Sequence, residues 1–100
     1  MPFAIEIKEE AKTDIADAMT WYAAKAENLD IRFITAVEDT LIKIQNTTTA
    51  FKKIYKQFRQ TSIKSFPYVI VYQQEKNTVL VYAVFNTRQY PKKKLKRIKK

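Results

Sequence analysis

The spacing of the apolar residues changes near residue 50, and this change restricts the chain to folds with a helical half and a β half. Before that point, apolar residues recur three and four positions apart, which is typical of amphipathic helices. After it, short apolar runs are separated by proline or by polar turns, which is typical of strands. Because the helices and most of the strands occupy different halves of the sequence, we expect an α+β domain.

Two helices are predicted after a short opening strand at residues 3–8. The first spans Glu9 to Ala26 and has acidic residues in its first turn, where the helix dipole favours negative charge. Its apolar residues recur at spacings of three and four, at Ala11, Ile15, Ala18, Met19 and Tyr22. The second begins near Asn28 or Asp30, either of which can cap it. Its apolar stripe consists of Phe33, Val37, Leu41 and Ile44. A short loop between the two helices predicts a helical hairpin.

Three strands are predicted in the second half. Residues 54–64 form a long polar strand that can break near Thr61. Tyr68 to Tyr72 are continuously apolar, which indicates a central strand. The last strand covers residues 79–85 and follows a turn in which Asn77 is expected to take the left-handed conformation. The predicted order is β-α-α-β-β-β, with the helical hairpin packed on one face of a mainly antiparallel sheet.

The charge of the chain is divided unevenly along its 100 residues. We place one domain at residues 1–91 and a basic tail at residues 92–100. Residues 1–42 contain four Lys or Arg and nine Asp or Glu, a net charge of −5. Residues 43–100 contain fifteen Lys or Arg and one acid, a net charge of +14. This asymmetry suggests a polyanionic partner for the second half, although a basic surface also serves solubility alone.

The chain contains neither cysteine nor histidine. This composition excludes disulfides, thiolate nucleophiles, cysteine-based metal sites and an imidazole general base. We therefore expect no cofactor. The N-terminal residues contain no apolar signal-peptide core, and no run approaches the roughly 18 apolar residues of a membrane helix. A cytoplasmic location is expected.

Several short segments carry a resemblance to a known family. In chain order they are Asp14-Ile15, Trp21-Tyr22, Arg59, Phe66-Pro67-Tyr68, Tyr72 and Ala83-Val84-Phe85-Asn86-Thr87-Arg88. With these residues the chain resembles the RelE/ParE superfamily of toxins, which belong to type II toxin–antitoxin systems and include plasmid stabilisation proteins. The resemblance extends from Phe3 to Lys93, which is nearly the whole chain.

The resemblance implies a toxin that inhibits growth and a cognate antitoxin that wraps it. RelE-type members cut mRNA on the ribosome, whereas ParE-type members inhibit DNA gyrase, so the implied target is either ribosome-bound mRNA or gyrase. Many relatives have histidine where this chain has Asn86. Because asparagine cannot act as a general acid or base, an imidazole mechanism is excluded here.

Five side chains are candidate catalytic residues for RNA cleavage through its own 2′-hydroxyl, which needs a base, an acid and cations around the phosphate. Arg59, expected on the sheet face away from the helices, and Arg88, after the last strand, could hold a phosphate between two guanidinium groups. Lys52 or Lys53 could act as base if neighbouring cations favour its neutral form. Tyr90 could donate a proton or stack on a base.

These groups favour a metal-independent, ribosome-dependent mRNA endoribonuclease, or mRNA interferase. A ParE-like gyrase inhibitor with no reaction of its own stays open, because Asn86-Thr87-Arg88 fits that branch at least as well. A general nucleic-acid-binding module would use the same charge but explains neither that segment nor Phe66-Pro67-Tyr68. Structural interpretations also exist for each side chain; Trp21, for example, is expected to pack on the neighbouring helix or strand.

Overall fold

The structure is a computed structural model that describes residues 3–89. Two helices and five strands follow one another in the order β-α-α-β-β-β-β. They are β1 Ala4–Ile7, α1 Glu9–Lys25, α2 Leu29–Asn46, β2 Lys53–Tyr55, β3 Phe58–Ser62, β4 Tyr68–Glu75 and β5 Thr78–Asn86, followed by a short 3-10 turn at Thr87–Gln89. The α+β class and the helical hairpin are confirmed. The predicted tail, residues 92–100, and its boundary with residues 1–91 lie outside the described residues.

The five strands form one sheet in the spatial order β1-β5-β4-β3-β2. The helical hairpin of α1 and α2 follows β1 in the chain. The strand β1 pairs in parallel with β5, and every other neighbouring pair of these strands is antiparallel. The strand β4 lies at the centre of the sheet, and its first five residues, Tyr68 to Tyr72, are all buried. The continuous apolar run therefore predicted the central strand correctly.

The predicted strand at residues 54–64 is wrong, because a hairpin stands in its place. The chain turns at Lys56 and Gln57, so that β2 and β3 pair antiparallel, with Tyr55 opposite Phe58. Lys56 has φ of 50°, in the left-handed region that usually calls for glycine or asparagine. The turn between β4 and β5 behaves likewise, since Lys76 with φ of 54° takes the left-handed conformation expected of Asn77.

The main core lies between the helices and one face of the sheet. The four residues of the predicted α2 stripe are all buried, as are Ala11, Ile15 and Ala18 of α1. A cluster of rings closes one end of this core, with centroids of Tyr22 and Phe66 5.0 Å apart and those of Phe33 and Phe66 5.1 Å apart. Helical periodicity thus identified the buried faces of both helices.

A second apolar cluster covers the other face of the sheet. It contains Val69 and Val71 of β4 and Ala83 and Phe85 of β5, packed against three residues of the β2–β3 hairpin, Ile54, Tyr55 and Phe58. The short hairpin therefore curls over the sheet and buries apolar surface that the helices do not reach.

Within residues 3–89, no helix is long and apolar enough to cross a membrane.

Candidate functional site

Arg59 fastens the loop between α2 and β2 to the sheet. Its Nη1 donates to the carbonyl oxygen of Phe51 at 2.7 Å and to that of Thr49 at 3.2 Å. A guanidinium can make several such bonds at once because its donors are fixed in one plane. Arg59 therefore has a structural role in the folded domain.

The position expected for Arg59, on the sheet face away from the helices, is wrong. Arg59 lies directly opposite Tyr72 in the pairing of β3 with β4, and directly opposite residues project from the same face. Tyr72 belongs to the core on the helix side. If the register of β3 with β4 differed by one residue, the Arg59 side chain would project from the opposite face of the sheet. The sequence of β3 alone does not fix that register.

The side chain of Tyr72 also holds the loop between α2 and β2. Its hydroxyl donates to the carbonyl oxygen of Thr48 at 2.7 Å, and the Thr48 hydroxyl donates to Oε1 of Gln74 at 2.8 Å. Burial raises the pKa of the Tyr72 hydroxyl above its ordinary value, and the Arg59 cation partly offsets this rise. A buried, neutral Tyr72 therefore acts as a hydrogen-bond donor in the fold.

The candidate bases Lys52 and Lys53 are both exposed at the start of β2. The Lys52 carbonyl oxygen accepts from the Gln60 amide at 3.1 Å, and Lys53 is the register partner of Arg59. These contacts fix the backbone and leave both side chains at the surface. Their predicted roles in catalysis stay predictions, as does that of Tyr90, which lies outside the described residues.

Arg88 lines a different part of the molecule, a groove of about 720 Å³ between α1 and the end of β5. We name it the Trp21 groove. Its lining includes Asp14, Asp17 and Trp21 from α1, the aromatic residues Tyr22, Phe66 and Tyr68, Asn86 at the end of β5, and Arg88 in the turn that follows. Arg59 lies elsewhere, against the α2–β2 loop. The expected convergence of the two arginines on one concavity is therefore wrong.

The wall of the Trp21 groove is held in place by hydrogen bonds that the sequence did not predict. The strand β1 pairs with β5 only as far as Val81, which leaves the next residues of β5 without a strand partner on that side within the described chain. There Oδ2 of Asp14 accepts from the Val84 amide at 2.9 Å. At the far end, Oδ1 of Asn86 accepts from the Arg88 amide at 2.8 Å.

Trp21 is 57% exposed, so the expectation that it packs on a neighbouring helix or strand is wrong. The ammonium of Lys25, one turn further along α1, lies 4.1 Å from the centre of its ring. Such cation–π contacts show that the ring face attracts positive charge. Tyr22, the next residue, points inward, and burial raises the pKa of its hydroxyl while the Arg88 cation partly lowers it.

The second face of the sheet carries aromatic rings with lysines beside them. The rings of Phe58 and Tyr82 meet edge to face with centroids 4.9 Å apart. The ammonium of Lys8 lies 5.8 Å from the Tyr82 ring, and that of Lys56 lies 5.4 Å from the Tyr55 ring. This arrangement can stack on rings or bases, and it was missed because the β2–β3 hairpin that builds it was missed.

The outer face of α2 exposes apolar side chains as well. Ile31 is 55% exposed and Ile42 is 54% exposed, and both line a groove of about 650 Å³. Three cations, Arg32, Lys43 and Lys64, share this lining with one acid, Asp39. We name it the α2 groove, and its excess of positive charge suits an acidic ligand.

Comparison with known proteins agrees with the fold and with the resemblance. The structure called "Chromosomal ParDE TA system from P. aeruginosa" matches with a TM-score of 0.61 at 9% sequence identity, covering 84% of this chain and 95% of that chain. At such low identity, this likeness shows the fold alone. No curated protein matches. The family model for the ParE toxin of the type II toxin–antitoxin system parDE matches residues 5–91. The chain therefore belongs to the ParE toxin family of type II toxin–antitoxin systems, within the RelE/ParE superfamily.

Proposed function

We propose that this toxin acts in the cytoplasm as a binding protein that inhibits DNA gyrase and has no reaction of its own. The observation that carries the proposal is the match of the ParE family model over residues 5–91, because ParE-type members of the superfamily are gyrase inhibitors. This choice reverses the preference for an mRNA endoribonuclease that the sequence alone suggested.

The separation of the candidate cations supports the binding role. Phosphate chemistry without metal or histidine needs cations that converge on one phosphate with their donors available. Nη1 of Arg59 donates to two backbone carbonyl oxygens, whereas Arg88 lines the Trp21 groove beside two carboxylates. A binding protein, in contrast, needs only an exposed surface of suitable charge and shape.

Two assays run side by side on the same protein, made by cell-free synthesis to avoid toxicity, test the proposal. The first measures supercoiling of relaxed plasmid by gyrase, and the second measures mRNA integrity in a reconstituted translation reaction. We expect supercoiling to fall with toxin concentration while the mRNA stays intact. Cleavage of ribosome-bound mRNA with normal supercoiling would overturn the proposal in favour of the endoribonuclease. Antitoxin added in excess should restore the affected activity.

We also propose that the antitoxin uses an acidic, partly disordered segment that folds onto this domain. Between residues 43 and 89 there are eight Lys or Arg and one acid, and the α2 groove adds exposed isoleucines to this charge. An amphipathic acidic helix can satisfy both features, although its ordering costs part of the binding energy. The contact should therefore be large and both apolar and charged.

Co-purification with the small protein encoded beside the toxin gene tests this partner. Ile42→Asp should weaken the complex at least about tenfold, because it places a carboxylate in an apolar contact that faces an acidic partner. Ala16→Asp, which adds the same charge at an exposed position of α1, serves as the matched control and should leave the complex unchanged. Absence of any complex at micromolar concentration and physiological salt would remove the antitoxin proposal. Equal loss in both variants would refute the α2 groove as its site.

A further inference from the structure

The Trp21 groove lies where the described chain ends. Asn86 and Arg88 form part of its lining, and Gln89 is the last residue that the structure describes. Eleven residues follow in the sequence, enough to span at most about 40 Å when extended. The described part of the chain therefore ends at this groove.

The α1 wall of the groove offers two features that attract positive charge. Asp17 is exposed, and Asp14, whose Oδ2 accepts from the Val84 amide, adds a second carboxylate to this wall. The Trp21 ring already attracts the Lys25 ammonium at 4.1 Å. Carboxylates and the face of a tryptophan both bind lysine and arginine side chains. Arg88 is the only cation that lines the groove in the described part of the chain.

The sequence beyond Gln89 has the complementary chemistry. Residues 92–100 contain seven Lys or Arg, no acid, and the apolar residues Leu95 and Ile98. The apolar side of the groove includes Tyr22, Phe66 and Tyr68, which suits the two apolar residues. The same cations would otherwise repel one another and the basic half of the domain.

We propose that the Trp21 groove is the binding site for the chain's own basic segment, residues 92–100. Lysine and arginine side chains of the segment bind Asp17 and the Trp21 ring, and Leu95 and Ile98 contact the apolar side. A tether of a few residues gives an effective concentration in the millimolar range, so that even a weak contact is largely formed.

While the basic segment is bound in the groove, its cations are not available to a polyanion. Salt weakens each of these charge contacts, and a bound nucleic acid competes for the same cations. The groove therefore acts as an internal competitor of any polyanionic partner of the segment. This inference does not depend on whether the toxin inhibits gyrase or cuts mRNA.

Trp21 is the only tryptophan of the chain, so its fluorescence reports on this groove alone. Acrylamide, which is uncharged, measures its accessibility in the full chain. For the parent we expect quenching to increase about twofold between low salt and 1 M salt, where the screening length falls to about 3 Å. Quenching that does not change with salt would overturn the proposal.

Matched variants separate the contact from a general effect of charge. The segment variant combines Lys96→Gln, Arg97→Gln and Lys99→Gln, and the groove variant is Asp17→Asn. Each should show the high quenching already at low salt, and the two together should add nothing further, because they remove one shared contact. Glu38→Gln, an exposed acid on α2, should behave like the parent. A segment variant that is quenched like the parent, or additive effects of the two changes, would refute the proposal.

A second measurement does not depend on fluorescence. Because the chain has no cysteine, a spin label can be placed at Lys96→Cys alone, with Lys76→Cys in the β4–β5 turn as control. The Lys96 label should broaden the single indole N–H resonance of Trp21 at low salt and release it at high salt. Absence of broadening in a protein with the circular dichroism of the parent would overturn the proposal.

Discussion

Replacing Arg59 by alanine should destabilise the domain. The change removes two hydrogen bonds from Nη1. The bond to the Phe51 carbonyl oxygen is 2.7 Å long and partly buried, and the bond to the Thr49 carbonyl oxygen is 3.2 Å long and exposed. A hydrogen bond from a charged donor contributes roughly 1.5–3 kcal/mol. Water can replace the exposed bond but only poorly the buried one, so we expect a loss of about 2 kcal/mol in the free energy of unfolding.

This loss is large for so small a domain. For a domain of this size, 1 kcal/mol corresponds to a change of roughly 4–8 °C in Tm, so Arg59→Ala should lower Tm by about 8–16 °C. Arg59→Lys should recover part of it, because an ammonium can reach one carbonyl oxygen but cannot reproduce the planar fork. Lys53→Ala, on the neighbouring strand and exposed, is the control and should change Tm little.

Urea unfolding followed by circular dichroism and by Trp21 fluorescence measures the effect. Growth inhibition on induced expression should be measured on the same variants. If Arg59→Ala keeps the Tm of the parent and yet loses toxicity, the structural role argued from its two carbonyl contacts is refuted. Arg59 would then be a functional residue, as the sequence first suggested.

Three further predictions concern single side chains. Burial places the pKa of Tyr72 above its ordinary value of 10.0, so the unfolded chain ionises first and stability should fall as pH rises above 10; Tyr72→Phe should flatten this slope in denaturation curves. Asp14→Ala should lower the free energy of unfolding by about 1 kcal/mol, because the Val84 amide loses its acceptor, and an unchanged urea midpoint would contradict this. Arg88→Ala should change stability by less than about 0.5 kcal/mol, since Arg88 is exposed; lost growth inhibition with an unchanged melting curve would assign it to target binding.

The sequence predicted those parts of the fold that depend on local periodicity. Both helices and their buried faces follow from apolar spacing, and Tyr68 to Tyr72 identified the central strand because burial on both faces demands apolar residues throughout. The β2–β3 hairpin was missed because Lys56 and Gln57 carry none of the usual turn signals. Lys56 takes the left-handed conformation there because pairing of β2 with β3 offsets its modest cost.

The candidate site was harder to predict because its geometry depends on pairing between distant segments. The face that Arg59 occupies is set by its register with Tyr72, thirteen residues later, and the wall of the Trp21 groove is set by a bond between Asp14 and Val84, seventy residues apart. Trp21 was misplaced for a similar reason. Helical spacing puts it next to the buried Ala18 and the partly buried Tyr22, but the 100° step between neighbouring residues turns it to the surface.

Arg59 and Arg88, which the sequence analysis grouped in one site, lie in different parts of the molecule. This separation affects how variants of the toxin should be interpreted. The Arg59 guanidinium donates to backbone carbonyl oxygens on the helix side of the sheet, so its structural role is to keep the α2–β2 loop in place. That loop leads directly into the exposed cations Lys52 and Lys53. Arg88 instead lies where the described chain ends, beside an acidic wall. Loss of toxicity in an Arg59 variant therefore has to be interpreted together with its stability. At the exposed cations, a loss of toxicity with an unchanged melting curve would indicate a target contact.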